Sequence, residues 1–442
     1  MMARIWTPDD LQLFQGKTLR TEPYSRKLIR PALRILRAHL DMDVAYVSEI
    51  VDDQSVFQEV DAPGLEHLIK PGDARPLDQV YCKHIIDGDI PELMPDTAAD
   101  PIACQMPVTS AVPIGRHLSV PIRLSDGRIY GMFCCFGFEP DTALGVRDLA
   151  MLRAFAELIA DVIEQELVAN RARQENGERI RGVIDKRQFA PVFQPIWNLE
   201  KGGMESVEAL TRFSAPPMRA PDLWFQDAAE ANLDGELELA TIAEALKHLG
   251  KLPSGTCMNI NVSPQTASTP AFVETFSSMD ISRVILELTE HASVESYDAL
   301  SESLAALRNR GMRLAIDDAG SGYACLRHIL ELKPDIVKMD ADLIRDVDRD
   351  VARQTLVMAL ISFCEGISVR LLAEGVETEA ELKALCQLGV RDFQGYLLGR
   401  PVPIADLEAS IDVAEIASAY CRKYRIAPST DLFAVAPASG AA

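Results

Sequence analysis

Several short apolar segments in the second half of the chain run directly into acidic residues. In chain order they are residues 206–210 (which contain Glu208), 285–287, 314–318, 336–340 and 371–374. A buried strand ends in a carboxylate only where that end faces water, a metal ion or a substrate, because a buried unpaired charge is costly. In a (β/α)8 barrel the carboxyl ends of the parallel strands converge on one face. The pattern therefore predicts a carboxylate-rich site at one end of a set of parallel strands.

Strand-like and helix-like segments alternate through residues 188–410. The eight strand candidates are residues 191–194, 204–210, 257–261, 284–288, 313–317, 335–338, 370–374 and 392–394. Helix-like stretches separate most of them, at residues 237–249, 294–309, 353–365 and 379–388. Eight strands in about 220 residues predict an α/β fold with a TIM-like (β/α)8 barrel, and a doubly wound open sheet is the alternative.

The chain is strongly acidic, since 44 Lys and Arg residues stand against 66 Asp and Glu residues and give a formal net charge of -22. A field of this sign disfavours binding to nucleic acid polymers and to anionic membrane surfaces. It would also repel a phosphate-bearing substrate, unless bound cations invert the field locally. Clustered carboxylates together with an anionic substrate would therefore require metal ions. The length of 442 residues predicts two or three domains.

The N-terminal part, residues 25–170, has the pattern of a mixed α/β domain. The pattern comprises a helical stretch at residues 27–39, a strand-like run at 44–48, and two strand-like segments at 118–123 and 128–136. The last two segments flank Asp126 and Gly127, a dipeptide that favours the tight turn of a β-hairpin. We therefore expect a hairpin there.

A long helical pattern follows, from Gly145 to about residue 184. Apolar residues recur at three- and four-residue steps, namely Leu149, Leu152, Phe155, Leu158, Ile159, Val162, Ile163 and Leu167. Beyond Leu167 the stretch is polar and charged. The pattern predicts one helix that carries a homodimer seam and continues as a connector. An ordinary helix packed on its own domain is the alternative.

The polar residues at the predicted strand ends share one chemistry, since they are carboxylates and amides without a Cys or His cluster. They are Gln194, Glu208, Asn261, Glu287, Asp317, Asp318, Lys338, Asp340, Glu374 and Gln394. Such oxygen donors favour Mg²⁺ or Mn²⁺. The adjacent pair Asp317 and Asp318 could serve two ions, which would clamp a phosphoryl displacement, and Lys338 could orient the attacking water. Taken singly, each acid could instead cap the following helix, as could Glu377. Their joint occurrence on successive strands favours metal.

These residues lie within segments that resemble the EAL-domain family of cyclic di-GMP phosphodiesterases. The matching segments are Glu208-Ala209-Leu210-Thr211-Arg212-Phe213, 193–196, 261–263, 287–290, 317–323, 338–340, 373–377 and 394–396. They follow the family order over about residues 188–405, and the set is far more specific than any one segment.

The resemblance implies a role for each matching residue. Glu208, Asn261, Glu287 and Asp317 would hold one divalent ion, and Asp317, Asp318 and Glu374 the second, with Asp317 bridging two Mg²⁺ or Mn²⁺ ions. Lys338 would position or activate the attacking water. Glu290 would steady the loop that follows Asp318. Gln194, Leu210 and Arg212 would contact the dinucleotide, with Arg212 on a phosphate, and Gln394, Asp340 and Glu377 would support the site. The implied reaction is hydrolysis of cyclic di-GMP to linear pGpG.

Two positions depart from the family pattern, because Ala319 stands where Phe is usual and Ser321 where Thr is common. They concern the packing of the loop and its coupling to a dimer partner. Family members that have lost ligands only bind the nucleotide, so a catalytically silent cyclic di-GMP receptor is the main alternative. Every metal position and the lysine are filled here, which favours catalysis. A hydrolase for another dinucleotide is a third interpretation.

The N-terminal part resembles a GAF sensory domain. The similarity lies in the run at 44–48, the segment 81–88, Pro95-Asp96-Thr97, and the hairpin at 118–136. Such domains bind small ligands or serve as dimer scaffolds, and the sequence names no ligand here. Cys82 and His84 are too few for a zinc site, and core packing explains them better.

The sequence thus predicts a GAF-like sensory domain at residues 20–168, a helical connector at 169–187, an EAL phosphodiesterase domain at 188–412 and a disordered tail at 425–442. Nine scattered cysteines without a Cys-x-x-Cys pair are typical of buried thiols in a reducing compartment. The first residues lack the apolar core of a signal peptide, and no run is long enough to span a bilayer. We therefore expect a cytoplasmic homodimer without membrane or nucleic acid partners, in which the sensory domain regulates the barrel.

Overall fold

The computed structural model describes residues 24–407 apart from 278, 290–295 and 320–322, and for residues 24–27, 318, 323 and 324 it describes the backbone alone. The chain divides into two compact units between Ala172 and Arg173. Among the described residues, no helix is both long and apolar enough to cross a membrane. The predicted tail at 425–442 lies outside the described residues.

The first unit is built on a six-stranded antiparallel sheet in the order β3-β2-β1-β6-β5-β4. Its strands are β1 (Val44–Val51), β2 (Gln54–Asp61), β3 (Ala74–Pro76), β4 (Leu93–Met94), β5 (Arg116–Arg123) and β6 (Ile129–Gly137). Its helices are α1 (Tyr24–His39), α2 (Tyr81–Asp87), α3 (Pro107–Ala111) and the first part of α4 (Val146–Asp185). The predicted hairpin is confirmed, since β5 pairs with β6 in antiparallel register and Gly127 takes a positive φ of 85° in the turn.

This sheet has an apolar core on each face, because successive side chains of a strand point to opposite sides. On β1, Ala45 and Val47 join the core formed with α1 and α4. Val44 and Tyr46 join the opposite core, which α2 and the residues around α3 cover. The near-continuous apolar runs of β1 and β6 are therefore typical of strands buried on both faces.

Helix α4 runs for 40 residues and passes from the first unit into the second. Leu152, Ile159 and Ile163 are buried in the core of the first unit. This agrees with the alternative prediction of an ordinary helix packed on its own domain. Leu158, however, is exposed on another side of the helix, whereas Leu167 follows Ile163 by one turn and lies beside it in a hollow of the first unit. One face of α4 thus packs on its own domain, while the apolar side chain of Leu158 is uncovered on a second face.

The second unit is a closed eight-stranded barrel with the neighbour order β10-β11-β12-β13-β14-β7-β8-β9. Its strands are β7 (Phe189–Asn198), β8 (Gly203–Phe213), β9 (Cys257–Val262), β10 (Val284–Leu288), β11 (Arg313–Ala319), β12 (Ile336–Met339), β13 (Arg370–Ala373) and β14 (Asp392–Phe393). The helices around it are α5 (Pro221–Glu230), α6 (Asp234–Leu246), α7 (Pro264–Ala267), α8 (Pro270–Thr275), α9 (Tyr297–Arg308), α10 (Tyr323–Leu332), α11 (Ala341–Ile344), α12 (Val351–Gly366) and α13 (Glu379–Leu388). The predicted barrel is confirmed, and the open-sheet alternative is excluded.

The barrel departs from an all-parallel one at its first strand. Strand β7 is antiparallel to both neighbours, β8 and β14, while the remaining pairs are parallel. The short turn between Asn198 and Gly203 is the physical reason, since a parallel crossover needs a dozen or more residues. This turn is tied by Lys201 N–H, which donates to Asn198 Oδ1 at 2.8 Å.

An apolar layer fills the barrel interior and supports the residues that follow it on each strand. The layer consists of Ile196, Cys257, Ile285, Ala315, Ile336 and Leu372. Two residues further along a strand the side chain points to the same side again. Glu287 follows Ile285 in this way, Asp317 follows Ala315, and Lys338 follows Ile336. The strand period therefore stacks a polar layer directly on the apolar one.

Candidate active site

A buried lysine lies at the centre of the polar layer. Lys338 Nζ is 2.7 Å from Glu287 Oε2, 3.2 Å from Asp317 Oδ1 and 2.5 Å from Glu374 Oε1. The Lys338 side chain is 1% exposed. Strands β10 and β11, the end of β13 and strand β12 each contribute one member of this group. The structure thus brings together four of the residues that the sequence placed at strand ends.

Burial and mutual charge set the protonation of this group. Burial alone would lower the pKa of Lys338, but the surrounding carboxylates, Asp317 first, raise it well above its ordinary value. Burial raises the pKa of Glu287 to about 8, although Lys338 opposes that rise. Burial likewise raises the pKa of Glu374 well above the ordinary value. The lysine is therefore a fixed positive charge among crowded acids.

A second cluster surrounds Glu208 on β8. Asn261 Nδ2 donates to Glu208 Oε1 at 2.7 Å, and Gln394 Nε2 donates to Glu208 Oε2 at 2.5 Å. Gln394 Nε2 also lies 3.2 Å from Gln194 Oε1, and Gln194 in turn donates to the carbonyl of Gly399 at 3.1 Å. These contacts join β7, β8, β9 and the end of β14, so the predicted residues Gln194, Glu208, Asn261 and Gln394 form one network.

The donors of both clusters fit a hard divalent cation, because they are carboxylate and amide oxygens without thiolate or imidazole. Asn261 Oδ1 and Glu374 Oε1 are buried and accept no hydrogen bond within the described part of the chain, although the Lys338 ammonium lies close to Glu374 Oε1. The Asn261 oxygen is therefore suited to a cation, while Glu374 Oε1 already has a positive partner in the lysine. Across residues 24–407, outside the gaps given above, no three acidic, His or Cys side chains are already arranged as a metal site. The ammonium of Lys338 instead offsets part of the negative charge, and amide N–H groups donate hydrogen bonds to Glu287 and Glu208.

The remaining predicted residues lie outside this polar layer or outside the part of the chain that the structure describes. Arg212 is exposed near the end of β8 and donates to the Thr211 carbonyl at 3.0 Å, while Leu210 is half-buried. Asp340 caps α11 by accepting from the Asp342 N–H. The side chain of Asp318 and all of Glu290 lie outside the described residues.

Helix capping, the alternative considered for single acids, applies to Asp340 but not to Glu377. Glu377 is exposed, and the cap of α13 is Thr378, whose hydroxyl accepts from Glu381 N–H in a capping box. The Glu381 carboxylate also accepts from the Glu377 N–H at 3.1 Å. Glu377 therefore precedes the cap.

Asn259 is a site residue that the sequence argument missed. Its Nδ2 donates to Glu287 Oε1 at 2.6 Å, and its side chain is buried. It stands two residues before Asn261 on β9, so the strand period places both on the same side. That spacing was the available signal.

The first unit contains a separate cavity of about 390 Å³ between the sheet and helices α2 and α3. Aromatic side chains line it, among them Tyr46, Phe57, Tyr81 and Phe136. His117 also lines it, stacks edge-on against Tyr81 at 4.8 Å, and is 2% exposed. Burial lowers the pKa of His117 to about 3, so its imidazole is neutral. The lining is mostly apolar, and its hydrogen-bonding groups include the neutral imidazole of His117 together with Arg75 and Gln79.

The sequence matches the profile of the EAL domain over residues 177–401 and the profile of the GAF domain over residues 25–164. The chain belongs to the EAL domain family and carries an N-terminal GAF domain. The resemblance that the motifs indicated is thereby confirmed, together with the barrel that it implied.

Three relatives illustrate the range of similarity. The probable cyclic di-GMP phosphodiesterase PdeA of Escherichia coli K12 is 30% identical over 236 residues, which are 51% of this chain and 32% of PdeA. A manganese/cy-diGMP complex of Klebsiella pneumoniae BlrP1 is 32% identical over 49% of this chain and 56% of that chain, with a TM-score of 0.44. The cGMP-bound EAL enzyme Bd1971 is 17% identical over 84% of this chain and 93% of that chain, with a TM-score of 0.52, which shows similarity of fold. The chain spans only about a third of the length of PdeA.

Proposed function

We propose that this protein hydrolyses one phosphodiester bond of cyclic di-GMP and releases linear pGpG, with Mg²⁺ or Mn²⁺ as cofactor. The observation that carries the proposal is the buried Lys338 ammonium in contact with carboxylates from three other strands, beside the amide-held Glu208. A scaffold gains little stability from such a cluster, because desolvating the charges offsets their attraction. Membership of the EAL domain family and the name of the relative PdeA support the same substrate.

The residues that would hold two ions are Glu208, Asn261, Glu287, Asp317, Asp318 and Glu374. Bound divalent ions would polarise the phosphate and lower the pKa of a water molecule. Their charge would also offset the net charge of -22 that otherwise repels an anionic dinucleotide.

The side chains of the protein supply orientation and hydrogen bonds. Without bound metal ions the neighbouring acids raise the pKa of Lys338, so its ammonium is a hydrogen-bond donor and a positive charge in this site. Asn261 and Gln394 fix the two oxygens of Glu208. Arg212 lies exposed near the carboxyl end of β8, where its guanidinium can reach a phosphate of the substrate.

The reaction consumes one water molecule. Its oxygen forms a bond to one phosphorus, the bond from that phosphorus to a ribose 3′ oxygen breaks, and the released 3′ oxygen takes up a proton. The product carries a 5′ phosphate and a free 3′ hydroxyl.

The deciding experiment incubates the purified full chain with cyclic di-GMP and Mg²⁺ or Mn²⁺ and separates the products by chromatography. We expect pGpG with at least one of the two ions. Binding of cyclic di-GMP without pGpG would contradict hydrolysis and favour the silent receptor. A parallel panel of linear and cyclic dinucleotides tests whether cyclic di-GMP is the preferred substrate.

We further propose that the GAF domain, taken as residues 20–168, regulates the barrel, taken as residues 188–412, through the connector at 169–187 in a homodimer. Two observations support this. Helix α4 is continuous between the units, and the cavity beside His117 gives the first unit a place for a small ligand. A ligand that favours one arrangement of the units would shift the population of active barrels.

A further inference from the structure

The carboxylate of Glu287 is held on both of its oxygens. Lys338 Nζ contacts Oε2 at 2.7 Å, and Asn259 Nδ2 donates to Oε1 at 2.6 Å. Glu287 is fully buried and Asn259 is 1% exposed, so no bulk water reaches this pair. The two contacts together fix both the position of the carboxylate and its rotation.

We infer that Asn259 is a positioning residue that orients Glu287 for ion binding, an inference that rests on the metal-dependent site proposed above. Asn261, an expected ligand itself, is the register partner of Glu287 on the neighbouring strand β10. Asn259 lies two residues earlier on β9, on the same side of the strand and deeper in the barrel. Asn259 therefore supports the carboxylate from behind. Removal of outer hydrogen-bond partners of this kind costs about 10- to 100-fold in metal affinity or activity.

A comparison with Asn198 distinguishes positioning from general stabilisation. Asn198 makes the same kind of bond, since its Nδ2 donates to Asp392 Oδ1 at 2.8 Å, and its own Oδ1 accepts from Lys201 N–H. Asn259 Oδ1, in contrast, is buried and accepts no hydrogen bond from the described residues. A buried amide that leaves one polar atom unsatisfied is poorly placed for stability alone. The hydrogen bond that Asn259 does make is the one from Nδ2 to Glu287.

The experiment compares Asn259→Leu, Asn259→Ser and the control Asn198→Leu in the full chain. Leucine retains the approximate shape of asparagine without a donor, and serine retains a shorter donor. Calorimetric titration with Mn²⁺ measures ion affinity, and thermal unfolding without metal measures stability. Turnover of cyclic di-GMP is followed as a function of Mn²⁺ concentration.

We expect Asn259→Leu to weaken Mn²⁺ binding about 10- to 100-fold, with Asn259→Ser in between. Raising Mn²⁺ should restore turnover of both Asn259 variants, whereas Asn198→Leu should lower the unfolding temperature and leave Mn²⁺ affinity unchanged. If Asn259→Leu does not fold, the comparison of Asn259→Ser with the control Asn198→Leu decides the question.

Wild-type Mn²⁺ affinity in the folded Asn259 variants, an equal loss of affinity in Asn198→Leu, or no Mn²⁺ binding by the wild type would each overturn the inference. The proposed function fails separately. A wild type that binds Mn²⁺ without producing pGpG contradicts hydrolysis, yet it leaves the role of Asn259 supported whenever the affinities follow the expected order.

Discussion

At the scale of single residues, the barrel brings several acidic side chains close together around one lysine, Lys338. The ammonium of Lys338 lies within 3.2 Å of three carboxylates from neighbouring strands. Without Lys338 or a metal ion, those acids would repel one another in a medium of low dielectric. The lysine therefore holds these acids together whenever no metal ion is bound.

Replacing Lys338 by methionine tests this role together with the proposed role in the reaction. We expect loss of pGpG formation, because the donor at Nζ is gone. We also expect the metal-free protein to lose about 3–5 kcal/mol of stability, since a buried charge cluster loses its counter-charge. Denaturant unfolding measures the second effect, and added Mn²⁺ should stabilise this variant more than the wild type. A stability equal to that of the wild type without metal would contradict this role.

Replacing Glu208 by alanine should abolish turnover by removing an expected metal ligand. The neighbouring Glu205 provides a control, because it pairs with Arg370 at 2.5 Å, away from Lys338. Glu205→Gln should therefore retain turnover, even if its stability falls. Chromatography of pGpG at saturating Mn²⁺ is the measurement, and unchanged turnover in Glu208→Ala would refute the assigned role.

The buried imidazole of His117 predicts a pH dependence of stability in the first unit. Its folded-state pKa of about 3 lies below the ordinary value of 6.5, so protonation favours the unfolded chain. The stability that the neutral His117 imidazole contributes is fully present above pH 6.5 and is lost as the pH falls toward 3. Between pH 7 and 5 the loss should reach about 2 kcal/mol. Calorimetry of wild type and His117→Gln measures it, and equal pH slopes would contradict the assignment.

At the scale of elements, the apolar repeat of α4 divides between two surfaces. Leu152, Ile159 and Ile163 pack on the first unit, whereas Leu158 is 64% exposed. Met151, Phe155, Leu158 and Val162 follow one another at steps of four, three and four, the spacing of a coiled-coil seam, and Met151 and Phe155 of this series also pack partly against the core of the first unit. Sequence periodicity predicted the helix, but it could not assign these two faces, because both are apolar.

Replacing Leu158 by glutamate should therefore convert a homodimer into a monomer. A charge in the seam would lose its hydration on association, while the exposed position leaves folding intact. Sedimentation velocity measures the oligomeric state. Glu157→Lys, an exposed neighbour beside that spacing, is the control that should remain dimeric, and a dimeric Leu158→Glu would contradict the seam.

The strands show which parts of the fold sequence reasoning reaches. All eight barrel strands were predicted, because each apolar run carries an acidic, amide or lysine side chain at or near its end. The reversed direction of β7 was not, since a strand has the same alternation in either direction. Its signal lay in the short connection between Asn198 and Gly203, which is too short for a crossover helix. The contact of Asn259 with Glu287 likewise depends on register, which the sequence alone leaves open.

At the scale of the whole molecule, two units share one continuous helix, and each has its own cavity or polar centre. The domain classes were predictable from motifs, whereas the cavity beside His117 depends on how side chains from distant segments meet. If this cavity controls the barrel, filling it should alter turnover in the other unit.

Val108→Trp tests this coupling in the full chain. Val108 lines the cavity and is half-buried, so a larger side chain can occupy the space that a ligand would take. We expect turnover of cyclic di-GMP to change at least about twofold, with Mn²⁺ affinity unchanged, because the change would act on the population of active barrels. Val146→Trp, at an exposed position on α4, is the control. Unchanged turnover in a folded Val108→Trp would contradict regulation through this cavity.

The reversed first strand also decides where the chain enters the barrel. Phe189, the first residue of β7, pairs with Phe213, the last residue of β8, and Ala190 pairs with Arg212. Both Phe rings pack with Ile180 and Val183 from the end of α4. In an all-parallel barrel the incoming chain would arrive at the opposite end, a full strand length away from the acids. Here the polypeptide enters the barrel beside the last residue of β8, so the end of α4 is joined to the barrel at the end where the strands carry their polar layer.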